Sequence, residues 1–426
     1  MRVIVVGAGL AGLSVAWYLR EAGAHVTVLE RNAGPGLECS FANAALMHPS
    51  MAEPWNSPQV LSVLLRSLGR TDSHMLIRAR ALPSLIGWGL RFLRESRAEA
   101  YLANTRKNVL LALYSLDLMA QLRARTALEY GGYCRGSLQV FRNPELAAGT
   151  LAWVRQLADF GLVHRTLSVA ELVAEEPALG PIADALVGAI HMPHDEGGDA
   201  HRYCSAMAEQ LRQRDVQIQY GVCALPLALD AGRLASLTDD RGRSWQGDAL
   251  VLAAGVSSAW LARGVGLALP IRPVKGYSIT APRVGEALAP RLPVVDPQLH
   301  MAAVPLAAGG LRVAGTAEFA GYDRTLDPHR VANIFSLLKR LYPAYAQGLD
   351  ASQLAPWTGL RPMCPDGVPL LGSTPVRNLF LNTGHGHLGW TLATGSARLV
   401  ADLVLGRRPD MDPEPYALAR FTGAAT

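Results

Sequence analysis

The amino-acid sequence predicts a mixed α/β fold, in which a parallel sheet flanked by helices is joined to a second, mostly antiparallel sheet. The first thirty residues follow the succession strand, glycine turn, helix, strand. A second buried-strand pattern that ends in glycine returns at residues 248–255, and shorter alternating strand patterns lie before and after it. At 426 residues, 50% of them hydrophobic, the chain is long enough for two domains with well-buried cores.

The first unit of this pattern is a strand followed by a glycine-rich turn. Residues 2–6 are rich in Val and Ile, which is typical of a buried parallel strand. Gly7 permits a tight turn, Gly9 lets backbone N–H groups approach a pyrophosphate, and Gly12 lets the next helix pack closely on the sheet. That helix is predicted from about Leu10 to Ala22, with its positive dipole end toward the phosphates.

An acidic residue completes the pattern. Gly23 ends the helix, residues 25–29 form the second strand, and Glu30 stands at its end. A carboxylate about 20 residues beyond the glycines accepts hydrogen bonds from ribose hydroxyls. The sequence therefore predicts a Rossmann-type unit for an adenine dinucleotide without a 2′-phosphate, and this unit alone does not distinguish FAD from NAD.

The rest of the chain is predicted from hydrophobic periodicity and turn residues. A long loop, of a kind that is usually functional, follows Glu30 up to about residue 58. Helices are predicted at about 83–128, 144–160, 199–214, 329–342 and 390–405, and strands at 137–141, 189–193, 216–221, 248–255 and within 270–319. Because the pattern of a buried parallel strand returns late in the chain, we expect a discontinuous dinucleotide-binding domain formed by residues 1–83, 199–265 and 355–426. Residues 84–198 and 266–354 are then the substrate-binding domain.

Composition and charge argue against several classes of protein. The net charge of +5 comes from interspersed charges of both signs, which gives no indication of nucleic-acid binding. The five cysteines form no CxxC pair, which is typical of a reduced, cytoplasmic protein. The unit that starts at residue 2 leaves no room for a secretory signal, and no apolar run reaches the roughly 18 residues of a spanning helix. We therefore expect a cytoplasmic location, with peripheral attachment to the inner face of the membrane as the alternative.

The segment 83–97 has the pattern of an amphipathic helix and allows two interpretations. The favoured one is a helix packed on its own domain with a solvated basic face. The other is a contact with a membrane surface. The residues of that contact would be Trp88, Leu90, Phe92 and Leu93, flanked by Arg91, Arg94 and Arg97.

Several sequence blocks resemble a known family nearly from end to end. They are GAGLAGLSVAWYLREAG with VLER, ECSFANA, PHDEGGD, PVKGYSIT, WTGLRPMCPDGVPLLG and LFLNTGHGHLGWTLATGS. The chain resembles the D-amino-acid oxidase superfamily, and most closely the bacterial D-amino-acid dehydrogenases of the small-subunit type. The resemblance implies a FAD-binding domain of the glutathione-reductase-like kind and a mostly antiparallel substrate domain.

The resemblance implies FAD rather than NAD as the cofactor. The C-terminal glycine turn would bring backbone N–H groups to the flavin ring, where they stabilise the anion that develops on reduction. The residues implied to bind FAD are Gly7, Gly9, Leu10, Ala11, Gly12, Glu30, Arg31, Ser40, Ala42, Asn43, Ala254, Gly255, Gly384, Gly386, His387, Leu388, Gly389 and Trp390.

The activity that the resemblance implies is oxidative deamination of a D-amino acid through an imino acid to a 2-oxo acid and ammonia. Hydride would pass from Cα to flavin N5, and electrons onward to a quinone or another respiratory acceptor. Arg361 in GLRP is the candidate for the α-carboxylate, because a guanidinium offers two parallel N–H donors. Tyr277 lies where the family has an active-site tyrosine, and its hydroxyl would add a contact with the carboxylate or amine.

The sequence departs from the family near the substrate. His48, Met51 and Glu53 lie in a loop whose pattern differs, residues 296–306 lack the usual Tyr-Lys pair, and His387 replaces a usual threonine. His48 or His387 is therefore an acid/base candidate or a polar substrate contact. D-proline or 4-hydroxy-D-proline stays open as the substrate, and so does a related amino-acid oxidase activity.

Three other readings receive less support. A non-catalytic flavin subunit of a hetero-oligomeric dehydrogenase is disfavoured by Arg361 and by the full-length substrate domain. A metal site at His191, His194 and Asp195 is disfavoured because these residues lie in a proline-containing loop shared in part with the family. A serine hydrolase is not indicated, since no GxSxG motif is present.

Overall fold

The computed structural model describes residues 1–67, 75–230, 233–234 and 236–421. The α-helices in these ranges are Leu10–Glu21 (α1), Val60–Ser67 (α2), Leu82–Arg94 (α3), Ala98–Arg125 (α4), Pro144–Leu157 (α5), Val169–Glu175 (α6), Ala200–Arg212 (α7), Ser258–Arg263 (α8), Pro328–Leu341 (α9), Pro343–Ala346 (α10) and Ala393–Val404 (α11). The strands are Arg2–Val6 (β1), His25–Glu30 (β2), Leu46–Met47 (β3), Met75–Ile77 (β4), Ser137–Phe141 (β5), Arg165–Leu167 (β6), Gly188–Met192 (β7), Glu196–Gly197 (β8), Gln217–Tyr220 (β9), Leu229–Asp230 (β10), Arg233–Leu234 (β11), Leu237–Thr238 (β12), Ser244–Trp245 (β13), Ala249–Leu252 (β14), Arg272–Ala281 (β15), Val294–Asp296 (β16), Met301–Pro305 (β17), Leu311–Phe319 (β18), Ala355–Met363 (β19), Leu370–Ser373 (β20) and Leu379–Thr383 (β21).

The first sheet is the predicted parallel sheet, in the order β20, β21, β14, β1, β2, β9. β1 pairs in parallel with both β2 and β14, and only β20 runs antiparallel to its neighbour. Along β1, Val3 and Val5 pack against α1, α4, α7 and α11, whereas Ile4 and Val6 pack on the other face with α8. Because both faces are buried, the four positions after the exposed Arg2 are all apolar, as the sequence pattern indicated.

The glycine turn after β1 is held by close backbone contacts. Gly7 has a φ of +110°, and a Cβ there would lie 2.6 Å from the carbonyl oxygen of Ala253. A Cβ on Gly12 would lie 1.8 Å from the carbonyl oxygen of Gly7. Both positions therefore require glycine, for the turn and for the packing of α1 against β1, as the sequence predicted.

The second sheet has the order β19, β15, β18, β17, β16, β5, β7, β6, with β4 beside β18. Its neighbours are antiparallel except at the β16–β5 and β18–β4 pairs. Apolar residues of α9 and α6 pack with those of β15, β17 and β18 in a core of their own. The α/β class and the mostly antiparallel second sheet are confirmed.

Two segments lie on the other side of the domain boundary expected from the sequence. β4 pairs with β18, and β19 pairs along its whole length with β15, so both belong to the second sheet. Interstrand hydrogen bonds decide which sheet a strand joins, and local hydrophobic patterns do not reveal them. We infer that residues 75–77 and 355–363 belong with the substrate-binding domain.

The ends of two predicted helices also differ. The segment 83–128 is broken, since α3 ends at Arg94 and α4 begins at Ala98. The helix expected from Trp390 begins only at Ala393, after a 3₁₀ turn at Gly386–Leu388. Gly386, the first residue of this turn, has a φ of +57°, outside the right-handed helical region, so the chain changes direction here before α11 starts.

Helix α3 packs on its own domain, as the favoured interpretation predicted. Its buried face contains Trp88 and Phe92, which the membrane alternative placed at the lipid surface. The rings of Trp88 and Phe92 are buried and stacked at a centroid distance of 5.0 Å, and Trp88 Nε1 donates to the carbonyl of Pro270 at 3.1 Å. Of the four apolar residues named for the membrane contact, Leu90 is exposed. It lies on one face with the exposed Leu82 and Ile86, spaced four apart. In the part of the chain that the structure describes, no helix has both the length and the apolar character needed to cross a bilayer.

The glycine contacts predict the effect of added methyl groups. We expect Gly12→Ala to destabilise the protein by about 3 kcal/mol or more, because the new methyl group forces α1 away from β1. Thermal unfolding followed by circular dichroism measures this effect.

Gly87→Ala in α3 is the matched control. Here a Cβ meets no atom within 4 Å, so the same substitution should stabilise the helix, by about 1 kcal/mol. A Gly12→Ala variant that is as stable as wild type, or more stable, would contradict the packing described for Gly12.

Candidate active site

A cavity of about 1300 Å³ lies between the two sheets. At one end it is lined by residues at the carboxyl ends of β1, β2 and β14, and at the other by residues of β15, β18 and β19. In open α/β sheets, ligands bind at the carboxyl ends of the strands. The cavity exceeds the roughly 300–1,000 Å³ of pockets for drug-sized ligands, so its size suits a dinucleotide together with a small substrate.

Glu30 lies at the first end of the cavity and is fixed by hydrogen bonds. Its Oε2 accepts from the backbone N–H of Ala8 at 2.8 Å, and its Oε1 accepts from the backbone and side-chain nitrogens of Asn32 at 2.8 and 2.7 Å. A carboxylate accepts about four hydrogen bonds. The side chain is thus held in place and keeps acceptor capacity for a ribose hydroxyl.

The N-terminus of α1 faces the same end. Gly9, Leu10 and Ala11 line the cavity, and the first N–H groups of a helix have no acceptor within the helix. Ser40 Oγ accepts from the N–H of Leu10 at 3.3 Å, which fixes the following loop against this turn. The arrangement is an anion site of the kind that binds a pyrophosphate.

Most of the residues that the sequence singled out for the cofactor line this cavity. Those that line it are Gly7, Gly9, Leu10, Ala11, Glu30, Arg31, Ser40, Asn43, Ala254, Gly255, Gly386, His387, Gly389 and Trp390.

Four cofactor candidates are absent from the lining. Gly12 packs on β1, Leu388 is buried in the core of the first sheet, and the Ala42 carbonyl accepts from Ser278 Oγ at 2.6 Å. Gly384 has a φ of +79°, and a Cβ there would lie 2.7 Å from Cys364 Sγ. These four residues shape the walls and do not contact the space itself.

Tyr277 lies outside the site, contrary to the expectation from the sequence. Gly276 lines the cavity, and successive residues of a strand point to opposite faces, so Tyr277 points into the core of the second domain. There its hydroxyl donates to Glu318 Oε2 at 2.7 Å. A substrate contact is therefore not available to this tyrosine.

Arg361 on β19 reaches the end of the cavity that β15, β18 and β19 line, which we call the substrate end. Its Cζ lies 5.3 Å from the centre of the Trp55 ring, and its Nη1 donates to the carbonyl oxygen of Thr316 at 3.4 Å. A Cβ on Gly276 would lie 2.2 Å from Nη1, so only glycine leaves room for the guanidinium. Burial lowers the pKa of Arg361, yet none of the Asp or Glu residues that the structure describes forms an ion pair with it.

Two histidines stand beside this arginine. The rings of His387 and Trp55 stack at 5.0 Å, and the rings of His48 and His387 lie 6.5 Å apart. Burial lowers the pKa of His48 to about 4. It lowers the pKa of His387 further, with the nearby His48 and Arg361 acting in the same direction. Both imidazoles are neutral at pH 7, so Arg361 carries the positive charge at this end.

Sequence reasoning missed some residues of the site. Trp55 lies in the long loop after Glu30, whose composition had marked it as functional. Glu53 was noted there as a departure, and it also lines the cavity, where its Oε1 accepts from Trp153 Nε1 at 2.5 Å and burial raises its pKa. Thr316 had no local signal, since only strand pairing brings it to Arg361.

Five buried polar atoms of cavity-lining residues have no hydrogen-bond partner in the protein. Buried polar groups are almost always hydrogen-bonded, so a polar ligand or a bound water is expected to satisfy these atoms. The residues therefore fit a polar ligand such as FAD with its substrate. The five atoms are His48 Nδ1, Thr316 Oγ1, Asn382 Oδ1, His385 Nε2 and Trp390 Nε1.

Comparisons with known sequences agree with this geometry. The family described as "DAO: FAD dependent oxidoreductase" matches residues 2–403. A D-amino acid dehydrogenase of Paramagnetospirillum magneticum is 43% identical over 99% of this chain and 99% of its own length. A D-amino acid dehydrogenase of Methylobacterium nodulans is 40% identical, with 100% of each chain covered.

Solved structures show the same fold. A glycine oxidase from Geobacillus kaustophilus has a TM-score of 0.74 at 24% identity, over 98% of this chain and 99% of that one. An L-proline dehydrogenase from P. horikoshii has a TM-score of 0.75 at 16% identity, over 99% and 98%. At these identities the likeness concerns the fold alone.

A parallel sheet with a glycine turn and an antiparallel sheet with a buried arginine line one cavity, and this arrangement agrees with the class of flavoprotein oxidoreductases. The chain belongs to the DAO family of FAD-dependent oxidoreductases, and it is an enzyme whose cofactor is FAD.

The burial of His48 predicts its protonation. We expect its imidazole to stay neutral as the pH falls from 8 to 5, because burial disfavours the charged form and lowers the pKa to about 4. The ¹³Cε1 chemical shift of His48 in protein labelled at histidine, assigned by comparison with His48→Gln, measures this. A shift that titrates between pH 6 and 7 would contradict the described burial.

Proposed function

We propose that this enzyme oxidises D-amino acids to imino acids, which water hydrolyses to 2-oxo acids and ammonia, and that its electrons pass to a membrane quinone. The observation that carries this proposal is Arg361, a guanidinium in the cavity with no carboxylate partner among the described residues. An uncompensated cation of this kind is complementary to a substrate carboxylate. The curated relatives named above as D-amino acid dehydrogenases support the same substrate class.

The cofactor would lie along the cavity from one sheet to the other. Gly9 and Ser40 would hold the pyrophosphate, Glu30 the ribose, and Gly386 and Gly389 the flavin ring. Bound FAD supplies the hydride acceptor and the two-electron redox chemistry.

The protein's own part in the reaction is to position the substrate and to disfavour the charged ammonium form of its amine. Arg361 binds the α-carboxylate through two parallel N–H donors and thereby sets the direction of the Cα–H bond. The burial that keeps His48 and His387 neutral also disfavours an ammonium group. The site thus favours the neutral amine, which is the form from which hydride leaves. His48 Nδ1, which has no partner in the protein, is our candidate for a contact with that amine.

A peripheral contact with an anionic membrane would connect the enzyme with its quinone. Leu82, Ile86 and Leu90 are 50%, 65% and 66% exposed along one side of α3. Arg91 and Arg94 are exposed close by on the same helix. Exposed aliphatic side chains flanked by arginines suit the interface of a bilayer that contains anionic lipid. On this proposal the protein works at the cytoplasmic face of the membrane.

The substrate proposal predicts which amino acids reduce the flavin. We expect anaerobic D-alanine, D-methionine or D-proline, but not their L-forms, to bleach the flavin absorbance. Arg361→Lys should lower kcat/KM by about 100-fold, since lysine cannot make the bidentate contact, while FAD stays bound. Stopped-flow absorbance measures both effects.

Arg212→Lys, an exposed substitution on α7, is the control and should behave as wild type. Bleaching by D-proline alone would assign the enzyme to cyclic imino acids. Bleaching by L-amino acids alone, or by none, would show the proposal to be wrong.

The membrane proposal predicts how the reduced enzyme is reoxidised. In phosphatidylglycerol vesicles that contain ubiquinone, the double variant Ile86→Glu, Leu90→Glu should be reoxidised at least about tenfold more slowly than wild type. The reason is that two aliphatic side chains inserted into the bilayer interface contribute a few kcal/mol to binding. A short-chain soluble quinone should reoxidise both proteins equally. Leu225→Glu, at a leucine that is 38% exposed and far from α3 in sequence, is the control. Faster reoxidation by oxygen than by quinone, or equal rates for both proteins in vesicles, would contradict this proposal.

A further inference from the structure

Thr316 has an unusual backbone conformation for its residue type. Its φ is +64°, in the left-handed region, where a β-branched side chain is strained. Such strain persists only where the surrounding structure imposes it, and it is concentrated at functional sites.

The strand pairing explains how Thr316 is held. In the β15–β18 ladder, Gly276 pairs with Ala317 and Tyr277 pairs with Gly315, so Thr316 is the extra residue of a β-bulge. On the other edge of β18, the pairing with β17 reaches Gly315, and the pairing with β4 starts at Ala317. Thr316 thus stands at the gap between two partner strands, where the sheet opens to the cavity.

Thr316 lines the cavity beside Arg361. Its carbonyl oxygen accepts the hydrogen bond from Arg361 Nη1 at 3.4 Å. Its Oγ1 is buried, and it has no partner in the protein.

A purely structural bulge does not explain these features. Glycine adopts a positive φ without strain, and a glycine stands one position earlier. Gly315, however, is used for close packing, since a Cβ there would lie 3.0 Å from the carbonyl oxygen of His300, and its own φ is not in the left-handed region. The strained position carries a hydroxyl instead, and that hydroxyl is desolvated without compensation in the ligand-free protein.

We propose that Thr316 is a substrate-binding and positioning residue: its hydroxyl donates a hydrogen bond to the carboxylate held by Arg361, and its carbonyl orients the Arg361 guanidinium. The identity of the ligand as a carboxylate rests on the proposed function. The bulge allows the carbonyl and the hydroxyl of one residue to act beside the cation. A regular strand residue cannot do this, because its carbonyl is hydrogen-bonded to the neighbouring strand.

Propanoate, the deaminated analogue of D-alanine, is a direct probe of this contact. It is titrated into the oxidised holoenzyme, and the change in flavin absorbance gives Kd, with uncharged propanamide as the control ligand. Thr316→Val keeps the β-branched shape and the carbonyl but removes the hydroxyl, and we expect it to weaken propanoate binding by about 10- to 100-fold. Thr316→Ser restores the hydroxyl and should bind within about threefold of wild type.

A second readout separates this role from a structural one. Without ligand, Thr316→Val should melt at or above the temperature of wild type, because it removes an unsatisfied buried hydroxyl. Thr316→Gly removes the strain as well and should bind propanoate as weakly as Thr316→Val. If the valine variant does not retain FAD, the glycine variant tests whether the hydroxyl contributes to propanoate binding. Wild-type affinity in either variant, or no rescue by Ser, would overturn the assignment.

The two proposals fail in different ways. If no D-amino acid bleaches wild type but propanoate binds and depends on Thr316, the substrate class is wrong and the carboxylate contact stands. If D-amino acids bleach wild type and propanoate binds to all the variants equally, the role of Thr316 is wrong and the proposed activity stands.

Discussion

The guanidinium of Arg361 is the constraint on which the arrangement of the site depends. It lies against Gly276, which has no side chain, beneath the ring of Trp55 and within hydrogen-bond distance of the Thr316 carbonyl. No described carboxylate of the protein neutralises it, so its charge is available to a ligand. Removing such a charge from water is costly unless an anion pairs with it, and this cost becomes selectivity for a substrate with a carboxylate.

Three strands of the second sheet meet at this cation. β19 carries Arg361, β15 supplies the bare backbone of Gly276, and the bulge in β18 turns Thr316 toward both. The neutral His48 and His387 add no second positive charge beside the guanidinium, because burial keeps them uncharged. The rigid sheet thus holds charge and hydrogen-bonding groups in one place before a ligand arrives, which is how binding energy becomes orientation.

The βαβ unit at the start of the first sheet depends on residues that are close together in the sequence. The glycine turn, the N-terminus of α1 and Glu30 lie within one βαβ unit, and their contacts are made by backbone atoms whose spacing the chain itself sets. For this reason the pattern of glycines and the acid could be interpreted without a structure. The long loop that follows connects this unit with the second sheet, since Ser40 contacts α1 and Trp55 contacts Arg361.

Where prediction failed, the missing information was the pairing of distant strands. Tyr277 was expected in the site because its block resembles the family, but the alternation of β15 turns it toward Glu318. The membrane alternative for α3 counted Trp88 and Phe92 among its contact residues, yet both are buried. Trp88 meets Phe319 and the Pro270 carbonyl, which come from far along the chain.

The sequence by itself determined the α/β class and the strand, glycine turn, helix and strand of the first unit, because these depend on local periodicity and turn residues. Arg361 was singled out through the resemblance of its block to a family. Only the tertiary structure decided that β4 and β19 join the second sheet and that Thr316 stands beside Arg361. The physical reason is that interstrand register and burial are set by contacts among residues far apart in the chain, which no local pattern records.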